Sequence, residues 1–315
     1  MNRILYIVVP CYNEQEVLPE TSRRLLDKLN SLISQQKIDD RSRILFIDDG
    51  SRDNTWNIIS ALSSDNVHYA GVKLSRNRGH QNALIAGLSV AKDRCDAAVS
   101  LDADLQDDIN AIDAMVDDWA SGCDIVYGVR SSRDTDTAFK RITAKSFYRL
   151  MKLLGADIIE DHADYRLMSK RALGSLLQFD EVNLFLRGIV PQIGFKSSVV
   201  TYERHERFAG ESKYPLKKML MFAFDGITSF SVKPIRFVTV AGGSIFLISL
   251  VALVVLLLQK LFGYTVQGWA TLMGSIWLLS GIQLLSLGVI GEYIGKLYQE
   301  AKHRPRFIID EIKLK

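Results

Sequence analysis

The chain has 315 residues, 24% of them charged, and a net charge of only +3. That length holds one large soluble domain plus a smaller membrane element, and the charge content is near the globular norm. Cys11, Cys95 and Cys123 lie far apart in or beside apolar runs, without a CxxC pair or Cys/His zinc spacing. They therefore read as reduced core thiols of a cytosolic domain and exclude a disulfide or zinc framework.

Asn2-Arg3 leads into Ile4–Val9, an apolar run that stops at Pro10. It reads as a buried parallel strand and is too short for a secretory signal. Glu16–Ile33 reads as an amphipathic helix, with Val17, Leu25, Leu29 and Leu32 at helical spacing. A strand over Arg43–Ile47 ends in Asp48-Asp49-Gly50-Ser51, and Asn54–Leu62 follows as a helix with Ser51 or Asp53 as caps. Next come a strand at Tyr69–Leu74, a helix at Gln81–Ala91, a strand at Ala97–Leu101, a helix at Ile109–Ala120 and a strand at Asp124–Gly128. This alternation predicts a mostly parallel sheet covered by helices.

Ser131–Thr137 reads as a polar loop, Phe139–Leu154 as a helix, Ser197–Tyr202 as a strand and Arg204–Tyr214 as a charged loop. Leu216–Phe230 is apolar, basic and helix-like; it either lies flat at a membrane surface or packs as an ordinary helix. Two uncharged runs follow, Phe237–Leu258 with 22 residues and Trp269–Gly291 with 23. Each exceeds the roughly 20 residues that cross hydrocarbon. Lys213, Lys217, Lys218, Lys233 and Arg236 precede them, Lys296, Lys302, Arg304 and Arg306 follow, and Lys260 lies between. The positive-inside rule then puts both ends in the cytoplasm, and the basic belt suits anionic lipid headgroups better than nucleic acid. Phe307–Ile312 forms either a late strand or a tail docked on the domain. The expected divisions are a catalytic domain over 1–212, a juxtamembrane segment over 213–234, the two spans within 235–292 and a cytoplasmic tail over 293–315.

Ligands of parallel sheets bind at the carboxyl ends of the strands. Pro10, Asp48-Asp49 and Asp102-Ala103-Asp104 all fall there. Asp102 and Asp104 repel each other unless a cation lies between them, and hard oxygen ligands suit Mg²⁺ or Mn²⁺, with Gln106 as a third oxygen. Such an ion neutralises a departing diphosphate. Asp49 either accepts from a nucleobase N–H or a ribose hydroxyl, or shapes the turn. Pro10, Tyr12, Asn13 and Glu14 form a further strand-end cluster that can line a nucleoside pocket. Arg76 stands at a strand–helix junction as a donor-positioning group, while His80 alone carries little weight. The absence of GxGxxG after the first strand and of GxxxxGK[ST] argues against dinucleotide and P-loop enzymes.

The chain resembles the family 2 glycosyltransferases of the polyprenyl-phosphate type, among them bactoprenol glucosyltransferases and dolichyl-phosphate mannosyltransferase. The likeness rests on Val9–Glu14, Ile47–Ser51, Leu74–Gln81, Leu101–Asp107, Asp164–Leu167, Arg207–Tyr214 and the paired apolar runs. It implies a GT-A α/β fold with a C-terminal two-helix transmembrane element. By resemblance, Asp49 binds the nucleobase region of the donor, and Asp102 and Asp104 hold metal and diphosphate. Arg130 and Arg141 take the acceptor phosphate, and Arg207, Ser212 and Lys213 belong to a loop covering the site. Asp164 matches a carboxylate near the nucleophile, as a base or as a positioning group. Gly79–Asn82 and Asn183–Gly188 look like the bacterial branch, which favours undecaprenyl phosphate as acceptor.

The resulting expectation is a metal-dependent, inverting hexosyltransferase at the bacterial cell membrane. It takes a UDP-sugar, glucose first and N-acetylglucosamine next, for cell-envelope glycan modification. A separate flippase and a downstream glycosyltransferase would handle the product. The resemblance also carries a homotetramer. The alternatives are a GDP-mannose enzyme, a processive polysaccharide synthase (disfavoured by the missing QxxRW motif) and a non-catalytic membrane scaffold.

Overall fold

The computed structural model describes residues 3–131, 162–181, 185–203, 233–262 and 268–314. The predicted helix at 139–154 and the segment 216–230 lie outside these residues, as do nearly all of the loops at 131–137 and 204–214. Described residues 3–203 and 304–314 belong to one compact unit, and 233–303 to another.

The first unit is built on an eight-stranded sheet. Its strands are β1 Leu5–Cys11, β2 Arg43–Asp48, β3 Tyr69–Leu74, β4 Ala97–Ser100, β5 Ile125–Arg130, β6 His162–Ser169, β7 Ser197–Tyr202 and β8 Ile309–Lys313. The order across the sheet is β7-β5-β6-β4-β1-β2-β3-β8. β4, β1, β2 and β3 run parallel, as do β5 and β7. β6 is antiparallel to both β4 and β5, and β8 is antiparallel to β3. The sheet is therefore mixed but mostly parallel, as expected, with only β6 and β8 among its described strands running against the rest.

The apolar runs explain the centre. Every residue of β1 is buried, as befits a strand covered on both faces. The helix α1, Leu18–Ser34, buries Leu18, Leu25, Leu29 and Leu32 along one stripe. Helices α2 (Thr55–Asp65), α3 (His80–Ala91) and α4 (Ala111–Ala120) complete the alternation. Strand β6 and the short helices α5 (Lys170–Leu176) and α6 (Leu186–Gln192) escape the sequence pattern. β6 carries Asp164 and Arg166, whose charges break the apolar run, yet Arg166 is only 2% exposed. The charges are internal and paired, so polarity does not report burial there.

The C-terminal strand settles the two readings of 307–312. It pairs with β3, Ser75 N–H donates to the Ile308 carbonyl at 3.0 Å, and Lys313 Nζ donates to Ser60 Oγ at 2.5 Å. Arg306 donates to the Phe179 carbonyl and to Asp180 Oδ1 at 3.2 Å.

The second unit holds α7, Lys233–Leu261, and α8, Trp269–Ala301, which touch each other. Among the described residues, Ser275–Ala301 is long and apolar enough to cross a membrane, and that stretch is not buried within the molecule. Trp277, 78% exposed, illustrates the outward apolar surface. α8 continues ten residues beyond the predicted end at Gly291. Glu292 and Lys296, four apart, suit continued helix where a stop was expected.

Two predictions follow from the packing. A Cβ on Gly87 would lie 2.5 Å from Ile47 Cδ1 and 2.6 Å from Val8 Cγ1, so α3 rests directly on β1 and β2. Gly87→Ala should destabilise the sheet unit by about 1–3 kcal/mol through overpacking, read as a lower thermal midpoint of the purified full chain. Burial pushes the Cys95 thiol up to about 12 and raises the Cys11 thiol well above its ordinary value. Iodoacetamide at pH 8 should therefore leave both unmodified in the native protein and label them after denaturation.

Candidate active site

The loops after β2 and β3 lock together. Asp49 Oδ1 accepts from Arg78 N–H at 2.7 Å and Oδ2 from Gly79 N–H at 2.9 Å. Gly50 adopts φ +66°, and a Cβ there would meet the Arg76 carbonyl carbon and the Asn77 nitrogen at 2.5 Å. Only a glycine lets these backbones approach so closely. Burial raises the pKa of Asp49, partly offset by the two amide donors. Asp48 is raised by burial too; its Oδ1 accepts from Ser51 N–H at 3.1 Å, while Oδ2 is buried without a hydrogen-bond partner.

The β1 loop joins the same frame. Asn13, at φ 55°, accepts from Arg52 N–H through Oδ1 at 2.9 Å, and its own N–H donates to Ser51 Oγ at 3.0 Å. Glu14 N–H donates to Thr55 Oγ1 at 2.9 Å. A cavity of about 450 Å³ opens here, lined by Asn13, Glu14, Arg52 and Asp53 among others. Asp53 proves structural, accepting from Thr55 N–H at 3.0 Å and from Thr55 Oγ1 at 2.6 Å. Pro10 is buried in β1, whereas Tyr12 and Arg76 are exposed.

β4 delivers the acidic triplet. Leu101 N–H still donates to the Val8 carbonyl at 3.1 Å, and Thr21 Oγ1 holds the Ala103 carbonyl at 2.7 Å. Asp104 Oδ1 accepts from Gln106 N–H at 3.2 Å. Asp102 keeps 47% of its side-chain surface open. Desolvation raises its pKa to about 6; His80 opposes this, and the Asp107, Asp164 and Asp104 carboxylates reinforce it.

His80 Nε2 lies 3.4 Å from Asp102 Oδ1 and 3.8 Å from Asp164 Oδ2. Asp164 Oδ1 accepts from Arg166 Nη2 at 2.6 Å, and Arg187 Nε stands 3.6 Å from the same oxygen. Arg166 Nη1 donates to the Leu186 carbonyl at 3.4 Å, and Leu186 N–H donates to Gln81 Oε1 at 3.2 Å. Ser100 Oγ donates to the carbonyls of Asp164 and Arg166, the latter at 3.3 Å.

Arg130, at the end of β5, holds Nη2 3.9 Å from Asp107 Oδ1, which also accepts from Tyr202 OH at 2.5 Å. Burial opposes the Arg130 charge, but its contacts with Tyr202 and Asp107 outweigh that and raise its pKa. Arg141, Arg207, Ser212 and Lys213 lie outside the described residues. The structure thus gathers Asp102, Asp164, His80, Arg166 and Arg187 at adjoining strand ends. The sequence reading assigned no role to Arg187 or Gln81 and little weight to His80. Its available signal was that Gly79–Asn82 and Asn183–Gly188 stood out as segments.

Among the described residues, no three His, Cys, Asp or Glu side chains form a metal-holding group. Asp102 and Asp104 nevertheless fit a hard divalent ion whose shell is completed by substrate phosphates, because Mg²⁺ commonly takes only one or two protein carboxylates. Desolvation is the main cause of the raised Asp102 pKa, and the smaller part that comes from the neighbouring carboxylates is a repulsion such an ion relieves.

A mixed sheet with this parallel centre, carrying a carboxylate cluster at its strand ends, is a GT-A-like α/β fold. The model of glycosyl transferase family 2 matches residues 6–177, and that of the GtrB C-terminal hairpin matches residues 233–297. The chain is 56% identical to the uncharacterized glycosyltransferase YkoT of Bacillus subtilis (strain 168), over 98% of this chain and 91% of that protein. It is 39% identical to the bactoprenol glucosyl transferase of Shigella phage SfV, over 98% of this chain and 99% of that protein. A solved glucosyl-3-phosphoglycerate synthase from Mycobacterium tuberculosis aligns at TM-score 0.45 and 17% identity, covering 72% of this chain and 79% of that one. The chain belongs to glycosyl transferase family 2.

The Asp49 contacts yield a local test. Asp49→Asn replaces an acceptor oxygen by an amide donor facing a backbone N–H. Hydrogen exchange at Arg78 and Gly79 should accelerate in that variant while exchange in β1 stays slow.

Proposed function

We propose that this glycosyltransferase moves a hexose from a UDP-sugar to undecaprenyl phosphate at the cytoplasmic face of a bacterial membrane. Glucose is the first choice of sugar and N-acetylglucosamine the next. The observation that carries the reading is the convergence of Asp102, Asp164, His80 and Arg166 at the strand ends. The relatives named bactoprenol glucosyl transferase and the matched C-terminal hairpin support a lipid-phosphate acceptor.

In this reading Pro10, Tyr12, Glu14, Asp49 and Arg76 form the donor side, Asp49 by holding the loop that carries Arg76. Asp102 and Asp104, with Gln106 beside them, would hold Mg²⁺ or Mn²⁺, which supplies charge neutralisation for a departing diphosphate. Arg130, together with Arg141, Arg207, Ser212 and Lys213, receives the acceptor phosphate by charge-assisted hydrogen bonds. A lipid phosphate oxygen forms the new bond to the anomeric carbon, and the bond from that carbon to UDP breaks, its electron pair leaving with UDP. Attack from the face opposite UDP inverts the anomeric configuration. The phosphate oxygen is already anionic, so no proton has to be removed and Asp164 acts by orienting charge. α7 and α8 would be the two spans, with both chain ends cytoplasmic.

The test incubates purified protein with undecaprenyl phosphate and Mg²⁺ or Mn²⁺. UDP-glucose, UDP-N-acetylglucosamine, UDP-galactose and GDP-mannose are supplied in separate reactions, with the lipid product read by mass spectrometry. One UDP-hexose should appear on the lipid phosphate, and Asp104→Asn should lower the rate at least about 100-fold through lost stabilisation of the leaving group. A folded protein that yields product only from GDP-mannose, or from none of the four, overturns the assignment.

A further inference from the structure

The Asp164 carboxylate faces more positive charge than it needs. Arg166 Nη2 already meets Asp164 Oδ1 at 2.6 Å, and this guanidinium is enclosed, with its Nη1 on the Leu186 carbonyl. Arg187 then brings a second guanidinium to the same oxygen, its Nε at 3.6 Å. Two cations on one oxygen repel each other, and the Arg187 charge does push the pKa of Arg166 down, after the larger effect of burial. Asp164 meets one guanidinium in a hydrogen bond and the other only at ion-pair distance, which leaves Arg187 with charge to share with a further anion beside the Asp102 carboxylate across His80.

Arg187 is built to wait for one. It stands in α6 among buried Leu186, Gly188, Ile189 and Val190, so its backbone is fixed. Its side chain keeps 35% of its surface open, with Nε turned to Asp164 at ion-pair distance. The start of α6 is fixed in turn by Gln81 Oε1, which accepts from Leu186 N–H at 3.2 Å. Gln81 follows His80, whose ring lies between Asp102 and Asp164. A single frame therefore carries Arg187 and the strand-end carboxylates. At 3.6 Å the approach to Asp164 is an ion pair and not a hydrogen bond, so the guanidinium keeps its planar fork of N–H donors, the geometry that grips phosphate oxygens in pairs.

We infer that Arg187 binds phosphoryl oxygens beside the Asp102–Asp164 cluster and that Asp164 is the positioning residue that aims it. The ligand's identity rests on the transfer proposed above, where the acceptor's phosphate and the donor's diphosphate present the same oxygens.

Binding distinguishes the two sources. Dissociation constants of the purified full chain would be measured separately for UDP, GDP and undecaprenyl phosphate in micelles, alongside Arg187→Gln, Arg187→Lys and Asp164→Asn. Arg187→Gln should weaken one of these ligands about 10- to 100-fold, the effect of one or two lost charge-assisted hydrogen bonds. Arg187→Lys should recover part of the loss, since it restores charge without the fork. Asp164→Asn should weaken the same ligand and leave the others alone. Loss in a nucleotide arm places Arg187 on the donor diphosphate, and loss in the lipid arm places it on the acceptor. Wild-type affinity for all three in folded Arg187→Gln overturns the inference. Should that variant misfold, wild-type affinity in Arg187→Lys overturns it equally. Because the readout is binding, a wild-type chain that binds UDP without transferring sugar sinks the transfer reading alone. Transfer with undiminished binding in Arg187→Gln sinks this one alone.

Discussion

A guanidinium buried in the middle of a sheet has to find an anion, and the Arg166–Asp164 pair is the interaction around which this domain is arranged. An ion removed from water costs several kcal/mol unless its partner and remaining donors are satisfied. Here the partner lies two residues away on the same strand, and further polar groups arrive from other elements. The Leu186 carbonyl comes from the start of α6 to Arg166 Nη1, Ser100 of β4 holds the backbone carbonyls of both residues, and Arg166 Nε stays buried without a hydrogen-bond partner among the described residues. β6 can therefore run antiparallel between β4 and β5 with charges inside. The cost of the buried charge is offset by fixing, in one place, the ends of the strands that carry Asp102 and Asp164.

That arrangement explains what could be read in advance. β1, β2 and β3 are apolar runs closed by polar turns, and their burial follows from periodicity alone. The Asp48-Asp49-Gly50-Ser51 turn and the Asp102-Ala103-Asp104 triplet stood out because carboxylates at strand ends have a recognisable place in such sheets. β6 was legible only as a motif, since its alternation is interrupted by the very ion pair that makes it central. Arg187 was illegible for a different reason. Its meaning lies in its distance from Asp164, 23 positions earlier in the chain, and no local pattern encodes that distance.

The candidate site also shows two uses of one residue type. Asp49 has both oxygens engaged by amides of the next loop, so its charge organises backbone. Asp102 has other carboxylates nearby and retains open surface, so its charge stays accessible beside His80. Sequence treats the two as equivalent strand-end acids. Their hydrogen-bond partners separate a structural anion from one available to a ligand.

The last strand carries a topological consequence. β8 follows α7 and α8 in the chain, yet it pairs with β3 of the domain the chain left before them. A segment tied at both ends to one folded domain can traverse a bilayer only an even number of times. If α8 crossed alone, β8 would be stranded on the side opposite its partner strand. Any crossing by α8 therefore demands a second, compensating crossing between the same two anchor points. Pairing at one edge of the sheet thereby limits any membrane crossing by the segment between β7 and β8 to an even number.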